Sequence, residues 1–230
     1  MLRVRGLTKT IGATSVLQGV ELEVARGESV GVAGADGSGL STLLQILGTL
    51  LPPSAGTIEV DGVDAVVHLH GARRQLTYCG ETPLLGHGLS VGEYLRFRLT
   101  ARRRNADSRY TTEEALARTG FAKNAAVDLL SPGMRHGLSL AGALAGQPGL
   151  LLLDLPLQAI DAGSRAGLLT WLSEARRNGM ALVAAINTDQ GAAGIHAPCE
   201  RVLELRAGRL TSRDGADLLP GQTTPPAEAN

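Results

Sequence analysis

The sequence lacks an excess of either charge, since 22 Lys and Arg balance 22 Asp and Glu over 230 residues. That balance argues against a basic nucleic-acid-binding surface, and no nucleic-acid partner is expected. With 43% hydrophobic and 19% charged residues, the chain is not an acidic disordered polymer either. Cysteine is scarce: Cys79 and Cys199 stand far apart, without metal-ligand spacing, so a reduced, cytoplasmic protein is the simplest reading. No charged-then-apolar segment of signal type opens the sequence. Long apolar runs are missing too. The strongest, Leu150 to Leu153, ends at Asp154, far short of the roughly 20 residues a membrane helix needs. Membrane association is therefore expected to come only through a partner.

What is there suffices to bury most of the apolar surface, as one large domain or one domain with an inserted lobe. Leu2 to Leu7 and Val20 to Val24 alternate as strands do, and Ser29 to Ala33 is a buried type of strand running into a glycine-rich turn. From Ser41 to Leu50 the pattern is helical. Thr57 to Val60, followed by Asp61-Gly62, and Leu76 to Cys79 read as strands. Val91 to Thr100 and Thr112 to Thr119 read as helices joined by a polar loop, Ala101 to Tyr110, in what is taken as an inserted helical lobe. Leu150 to Asp154, a helix over Ser164 to Arg177, and Ala181 to Ile186 predict a parallel sheet covered by helices. Val202 to Leu205 and Arg209 to Thr211 pair around Ala207-Gly208. Residues 216–230, rich in Pro, Thr, Ala and Gln, read as a disordered tail.

Residues 34 to 42 read GADGSGLST. The phosphate-loop pattern is glycine, four residues, glycine, lysine, then serine or threonine, and only the lysine fails, at Leu40. Gly34, Gly37 and Gly39 would let successive backbone N–H groups converge on a phosphate at a helix start, with Ser41 in the magnesium-ligand position and Thr42 beside it. Leu40 supplies no cation for the terminal phosphates, a charged hydrogen bond worth roughly 1.5–3 kcal/mol, or about one to two decades of affinity. A transition-state contact of this kind is worth roughly 100- to 1,000-fold in rate. Taken alone, the stretch is equally a tight strand-to-helix turn.

Other segments carry a family resemblance. Leu130 to Met134 reads LSPGM, and Asp154 lies twenty-three residues beyond Ser131, closing LLLLD. LTYCGETPLLGHGLSVGEYLRF precedes them and LQAIDAGSR follows. In this order the segments resemble the signature, Walker B aspartate, Q-loop and D-loop of ABC transporter ATP-binding subunits, nearest to ABC-2-type exporters. The resemblance runs from about Leu2 to Arg213. It implies an α/β fold: a RecA-like P-loop NTPase core, an N-terminal antiparallel β subdomain and an inserted α-helical subdomain over about 90–146, within an ABC domain spanning 1–215.

Carried over residue by residue, the resemblance exposes departures on the chemistry. Ile11 falls where many relatives stack an aromatic ring on adenine, a loss of about a kilocalorie beyond area burial. Leu155 replaces the glutamate that polarises the attacking water, a general base worth roughly 10²- to 10⁴-fold. Asn187 falls at the switch histidine and carries no positive charge. Glu81 stands at the Q-loop glutamine, so Ser41, Glu81 and Asp154 remain a candidate magnesium site of hard oxygens. Ser131 and Gly133 keep the signature, at a helix start suited to a terminal phosphate, and Pro132 fits a first-turn position.

The family pairs its subunits head to tail, each site using one subunit's phosphate loop and the other's signature. A failed loop beside a kept signature therefore implies a heterodimer with one working site rather than a homodimer with two sites lacking the lysine and the glutamate. Here this chain would bind Mg-ATP weakly at its own loop, or only through a partner's phosphate loop, and clamp the partner's ATP. An integral membrane permease subunit and a second, competent ABC subunit are the implied partners, and the inner face of the cell membrane the implied place. A working ATPase and a non-transport scaffold on the same fold stay open as alternatives.

The remaining residues have plainer readings. His68 and His70 alternate in an apolar stretch and are ordinary surface or strand histidines. His87 and His136 lie near the Q-loop and signature without an assigned role. Trp171 and Leu172 read as helix core, Tyr94, Leu95 and Phe97 as lobe core with some of it open to a membrane subunit, and Ala101 to Arg104 as a solvated helix end.

Overall fold

A computed structural model describes residues 1–102, 110–154, 157–189 and 199–212. Leu155, Arg103, Arg104, most of the expected 101–110 loop and the 216–230 tail lie outside the described residues.

Two sheets organise the chain. The first holds β1 (Leu2–Ile11), β2 (Thr14–Val24), β4 (Ala55–Val60) and β5 (Val63–Asp64) in the order β2-β1-β4-β5, antiparallel throughout. The second runs β10-β9-β3-β8-β7-β6, from β3 (Ser29–Gly34), β6 (Leu76–Cys79), β7 (Leu150–Leu153), β8 (Ala181–Asn187), β9 (Arg201–Arg206) and β10 (Arg209–Ser212). Its neighbours are parallel except for the antiparallel edge strand β10.

The apolar run of β7 shows why this sheet lies inside. All four leucines are buried, yet side chains alternate across a strand. Leu150 and Leu152 enter a core shared with β1, β2, β4 and α1 (Leu40–Leu47), whereas Leu151 and Leu153 enter a second core on the opposite face. β8 divides the same way, Ala181 and Val183 against Leu182 and Ala184. Helices α3 (Val91–Arg102), α4 (Thr112–Thr119), α5 (Pro132–Ala145) and α6 (Ala162–Arg177) supply the second core. The result is an α/β fold, in which a layer of antiparallel sheet and a layer of helices flank a mixed sheet, the plan that the sequence resemblance implies.

Trp171, fully buried on α6, meets the edge of Tyr110 at 5.1 Å and lies under the Arg118 guanidinium at 5.3 Å. Arg118 of α4 also pairs with Glu174 of α6 at 2.6 Å, tying the two helices. Gly167 of α6 lets them approach: a Cβ there would lie 2.0 Å from the Arg118 carbonyl oxygen.

Several sequence expectations need correction. The helix after the glycine-rich turn ends at Leu47, not Leu50, because Gly48 caps it and Thr49 takes a left-handed φ of 59°. The first strands reach Ile11 and back from Thr14, longer than their alternating stretches, because irregular register steps break the pattern. His68 and His70 are exposed, in keeping with surface histidines, but they sit at a helix, α2 (Leu69–Gln75), not a strand, His68 as its N-cap residue without a side-chain cap bond. Phe97 is 64% exposed, while Tyr94 and Leu95 are buried as expected.

Candidate functional site

The buried strand β3 delivers the chain into the 35–39 turn, and α1 starts at Leu40 with Gly39 as its N-cap. Gly37 and Gly39 sit at φ 77° and 94°, values that favour glycine and that bend the loop back onto the helix start. A cavity of about 450 Å³ opens here, bordered by Gly34, Gly37, Gly39, Leu40, Ser41 and Thr42 of the loop and by Glu81, Asp154 and Asn187 from neighbouring strand ends. Val16 of β2 closes one wall. The parallel pairing of β3 with β8, which sets Gly34 beside Asn187, and of β8 with β7 brings these strand ends together.

Asp154 follows β7 and is buried. Ser41 Oγ donates to its Oδ1 at 3.3 Å and the Tyr78 hydroxyl to its Oδ2 at 2.8 Å. Burial pushes the Asp154 carboxyl above the usual carboxylate range and the charge of Glu81 adds to the rise, while the two hydroxyl bonds oppose it. Burial, then the bond to Asp154, raises the Tyr78 phenol above its ordinary value. Tyr78 was missed in the sequence. Its signal is the register of β6 on β7, which pairs Tyr78 with Leu152 two residues before Asp154.

An acid whose pKa is higher in the folded than in the unfolded chain favours folding at low pH, and that contribution is lost as pH rises through the raised value. Asp154→Asn is therefore expected to melt higher than wild type at about pH 7, with the gap closing towards about pH 4. Thermal melts across that range check it, and a gap that widens on acidification contradicts the assignment.

Leu40 takes no part in polar chemistry. Its side chain packs against the core formed by β1, β2, β3 and α1. Among the described residues, none that lines the cavity is Lys, Arg or His, whereas the carboxyl groups of Asp36, Glu81 and Asp154 line it. The oxygens of Ser41, Glu81 and Asp154 suit a hard divalent cation. A triphosphate is less well served, because no side-chain cation among the described residues faces it.

Asn187 proves more than a lost histidine. Its Nδ2 donates to Asp36 Oδ1 at 2.7 Å, and its Oδ1 accepts from the Asp189 backbone N–H at 2.9 Å. The Asp36 backbone N–H in turn donates to Asp189 Oδ2 at 2.8 Å. Neither neighbour of Asn187, Ile186 or Thr188, supplies a cation.

The other expected residues lie elsewhere. Ile11 is 51% exposed at the end of β1 and does not border the cavity. Ser131 and Gly133 do not border it either. Ser131 is the N-cap of α5, its hydroxyl accepting from the Met134 N–H at 3.2 Å, with Pro132 in the first turn. Gly133 accepts from the Asp161 N–H at 3.3 Å, and a Cβ there would come within 3.0 Å of the Ala159 carbonyl oxygen, so it also packs the signature onto the following turn. His136 Nε2 donates to the Glu81 carbonyl at 2.7 Å, joining α5 to the cavity rim, and His87 pairs with Asp128 at 2.9 Å on the surface.

Comparison with known proteins agrees with this fold. A family model described as ABC transporter matches residues 17–158, more than half of the chain. The chain is 33% identical to the daunorubicin resistance ATP-binding protein DrrA3 of Streptomyces coeruleorubidus, over 96% of this chain and 70% of that protein. It is 34% identical to the taurine import ATP-binding protein TauB of Burkholderia pseudomallei, over 90% and 79%. Against the sulfate/thiosulfate import ATP-binding protein CysA of Methylococcus capsulatus it is 30% identical, over 94% of this chain but only 63% of the relative's length. Among solved structures, an ATP-binding subunit of an ABC transporter superposes with a TM-score of 0.80 at 25% identity, covering 91% of this chain and 88% of the other. The dimeric bacterial ABC transporter cassette MJ0796 gives 0.75 at 25%, covering 91% and 96%. The chain therefore belongs to the ABC transporter family, as one of its ATP-binding-cassette domains.

Proposed function

We propose that this chain is the catalytically degenerate ATP-binding subunit of an ABC-2-type membrane transporter. In this reading it pairs with a competent ABC subunit and couples to a permease. The observation that carries it is Leu40, packed against the apolar core at the position of the phosphate-binding lysine, on the rim of a cavity that no cation lines among the described residues. Leu155 and Asn187, at the positions of the general base and switch histidine, extend the same loss. These losses serve one transition state and do not add independently, but together they leave this chain's own site near-inactive.

The signature retains its parts. Ser131 caps a helix of fourteen residues whose N-terminus favours negative charge, which supports its use on a partner's terminal phosphate. Any Mg-ATP held by this chain's loop would rely on Ser41, Glu81 and Asp154 for the metal, which supplies charge neutralisation of the phosphates when bound. The preserved Ser41–Asp154 contact favours a second reading in which nucleotide still binds here without turnover.

Among the described residues no helix is long and apolar enough to cross a membrane, so a permease would provide the attachment to the inner face of the membrane. A second cleft, of about 1110 Å³, supports such a partner: Leu84 and Phe97, 89% and 64% exposed, line it beside Arg74 and Arg98.

Titration of the purified chain with a labelled ATP analogue, with and without magnesium, tests the reading. Wild type is expected to bind more weakly than micromolar, and Leu40→Lys to tighten binding about 10- to 100-fold. Micromolar binding by wild type would overturn the ruined-loop assignment. Co-purification should recover a second ABC subunit with a complete phosphate loop, and recovery of homodimers alone would end the asymmetric model.

A further inference from the structure

We infer that Asp189 is an internal anion held on the phosphate loop, so that a nucleotide's terminal phosphates must displace a carboxylate of this chain to bind there. The inference rests on the reading of residues 34–42 as a phosphate loop. Its support is the closed arrangement of Asp36, Asn187 and Asp189. Asp189 Oδ2 accepts the Asp36 backbone N–H at 2.8 Å, the kind of donor a phosphate loop offers to an anion. Asn187 then fixes both acidic residues with one neutral amide, donating to Asp36 Oδ1 at 2.7 Å and accepting from the Asp189 N–H at 2.9 Å.

Two consequences follow from the chemistry. One loop donor is already satisfied, so a phosphate gains nothing there until the Asp189 carboxylate leaves. Asp36 and Asp189 also bring two carboxylates to the loop; Asp36 lines the cavity together with Glu81 and Asp154, and among the described residues no cation lines it to offset them. A polyanion is then opposed by like charge as well as by the absence of lysine. Asn187 on this view is a bridge that keeps the carboxylate seated.

The test uses the full chain, inorganic pyrophosphate with magnesium as the probe, and calorimetric titration. Asp189→Asn keeps a side-chain oxygen for the Asp36 N–H but removes the charge, and Asp189→Ala removes both. Each is made in the wild-type and Leu40→Lys backgrounds, and melting curves identify folded variants. Pyrophosphate affinity is expected to rise in the order wild type, Asp189→Asn, Asp189→Ala, by about tenfold in all, and the Asn gain should shrink in high salt. If the alanine variant does not fold, the asparagine variant alone decides. Leu40→Lys binding pyrophosphate while the Asp189 changes add nothing, or weaken it, overturns this inference and leaves the loop assignment standing. No binding in any background overturns both.

Discussion

Ser131→Ala in this chain is expected to slow ATP turnover by a co-assembled partner subunit about 100-fold or more, while Asp154→Ala leaves that turnover within about twofold. Ser131 lies outside this chain's own cavity, at the start of α5, whereas Asp154 lies inside it. In a head-to-tail pair these two positions would serve different nucleotides. Removing the serine also removes a helix cap worth about 1 kcal/mol, so a structural loss must be separated from a catalytic one. Ser131→Asp does so. Aspartate caps a helix about as well as serine, yet its charge would face the partner's phosphate, so the chain should melt normally and turnover should still collapse. Equal losses from Ser131→Ala and Asp154→Ala would show that the partner depends on this chain's own cavity, contrary to the asymmetric reading.

Gly167→Ala is expected to destabilise the chain by about 3 kcal/mol, the upper end of overpacking costs. For a domain of this size that corresponds to roughly 6–12 °C in melting temperature. The sign is opposite to the usual effect, since alanine in a helix interior is ordinarily favoured over glycine by about 0.8–1 kcal/mol. The reversal follows from backbone contact: the new methyl would lie 2.0 Å from the Arg118 carbonyl oxygen, which no side-chain rotation relieves. Gly163→Ala in the first turn of the same helix is the control. There the nearest neighbour is a side-chain carboxylate oxygen of Asp161 at 3.4 Å, an ordinary contact, so melting should hold or rise slightly. A Gly167→Ala protein that melts like wild type would mean α4 and α6 separate at little cost.

How much of this was legible in the sequence depends on whether a feature is local. The four leucines of β7 declare a strand buried on both faces, and the run Ser29 to Ala33 before the glycines places the loop on a strand end. Ser131 before Pro132 marks the start of α5 in the same way. The outer strands β1 and β2 are harder to delimit, because their exposed positions and register shifts blur period two. α2 holds only seven residues, one of them glycine, with a single buried side chain, too little to write a helical period. In the site, Leu40 shows as a missing cation by motif alone. The Tyr78 bond to Asp154 and the Asp36–Asp189 contact span 76 and 153 residues, and no spacing rule joins such pairs before the strands are assembled.

The single tryptophan of this chain is also a built-in optical probe. Trp171 is sealed between α6 and the segment carrying Tyr110 and Arg118, so its emission reports on that junction without any attached label. A red shift on opening, read when a partner subunit or permease is added, would reveal movement of α4 against α6 in the unmodified protein.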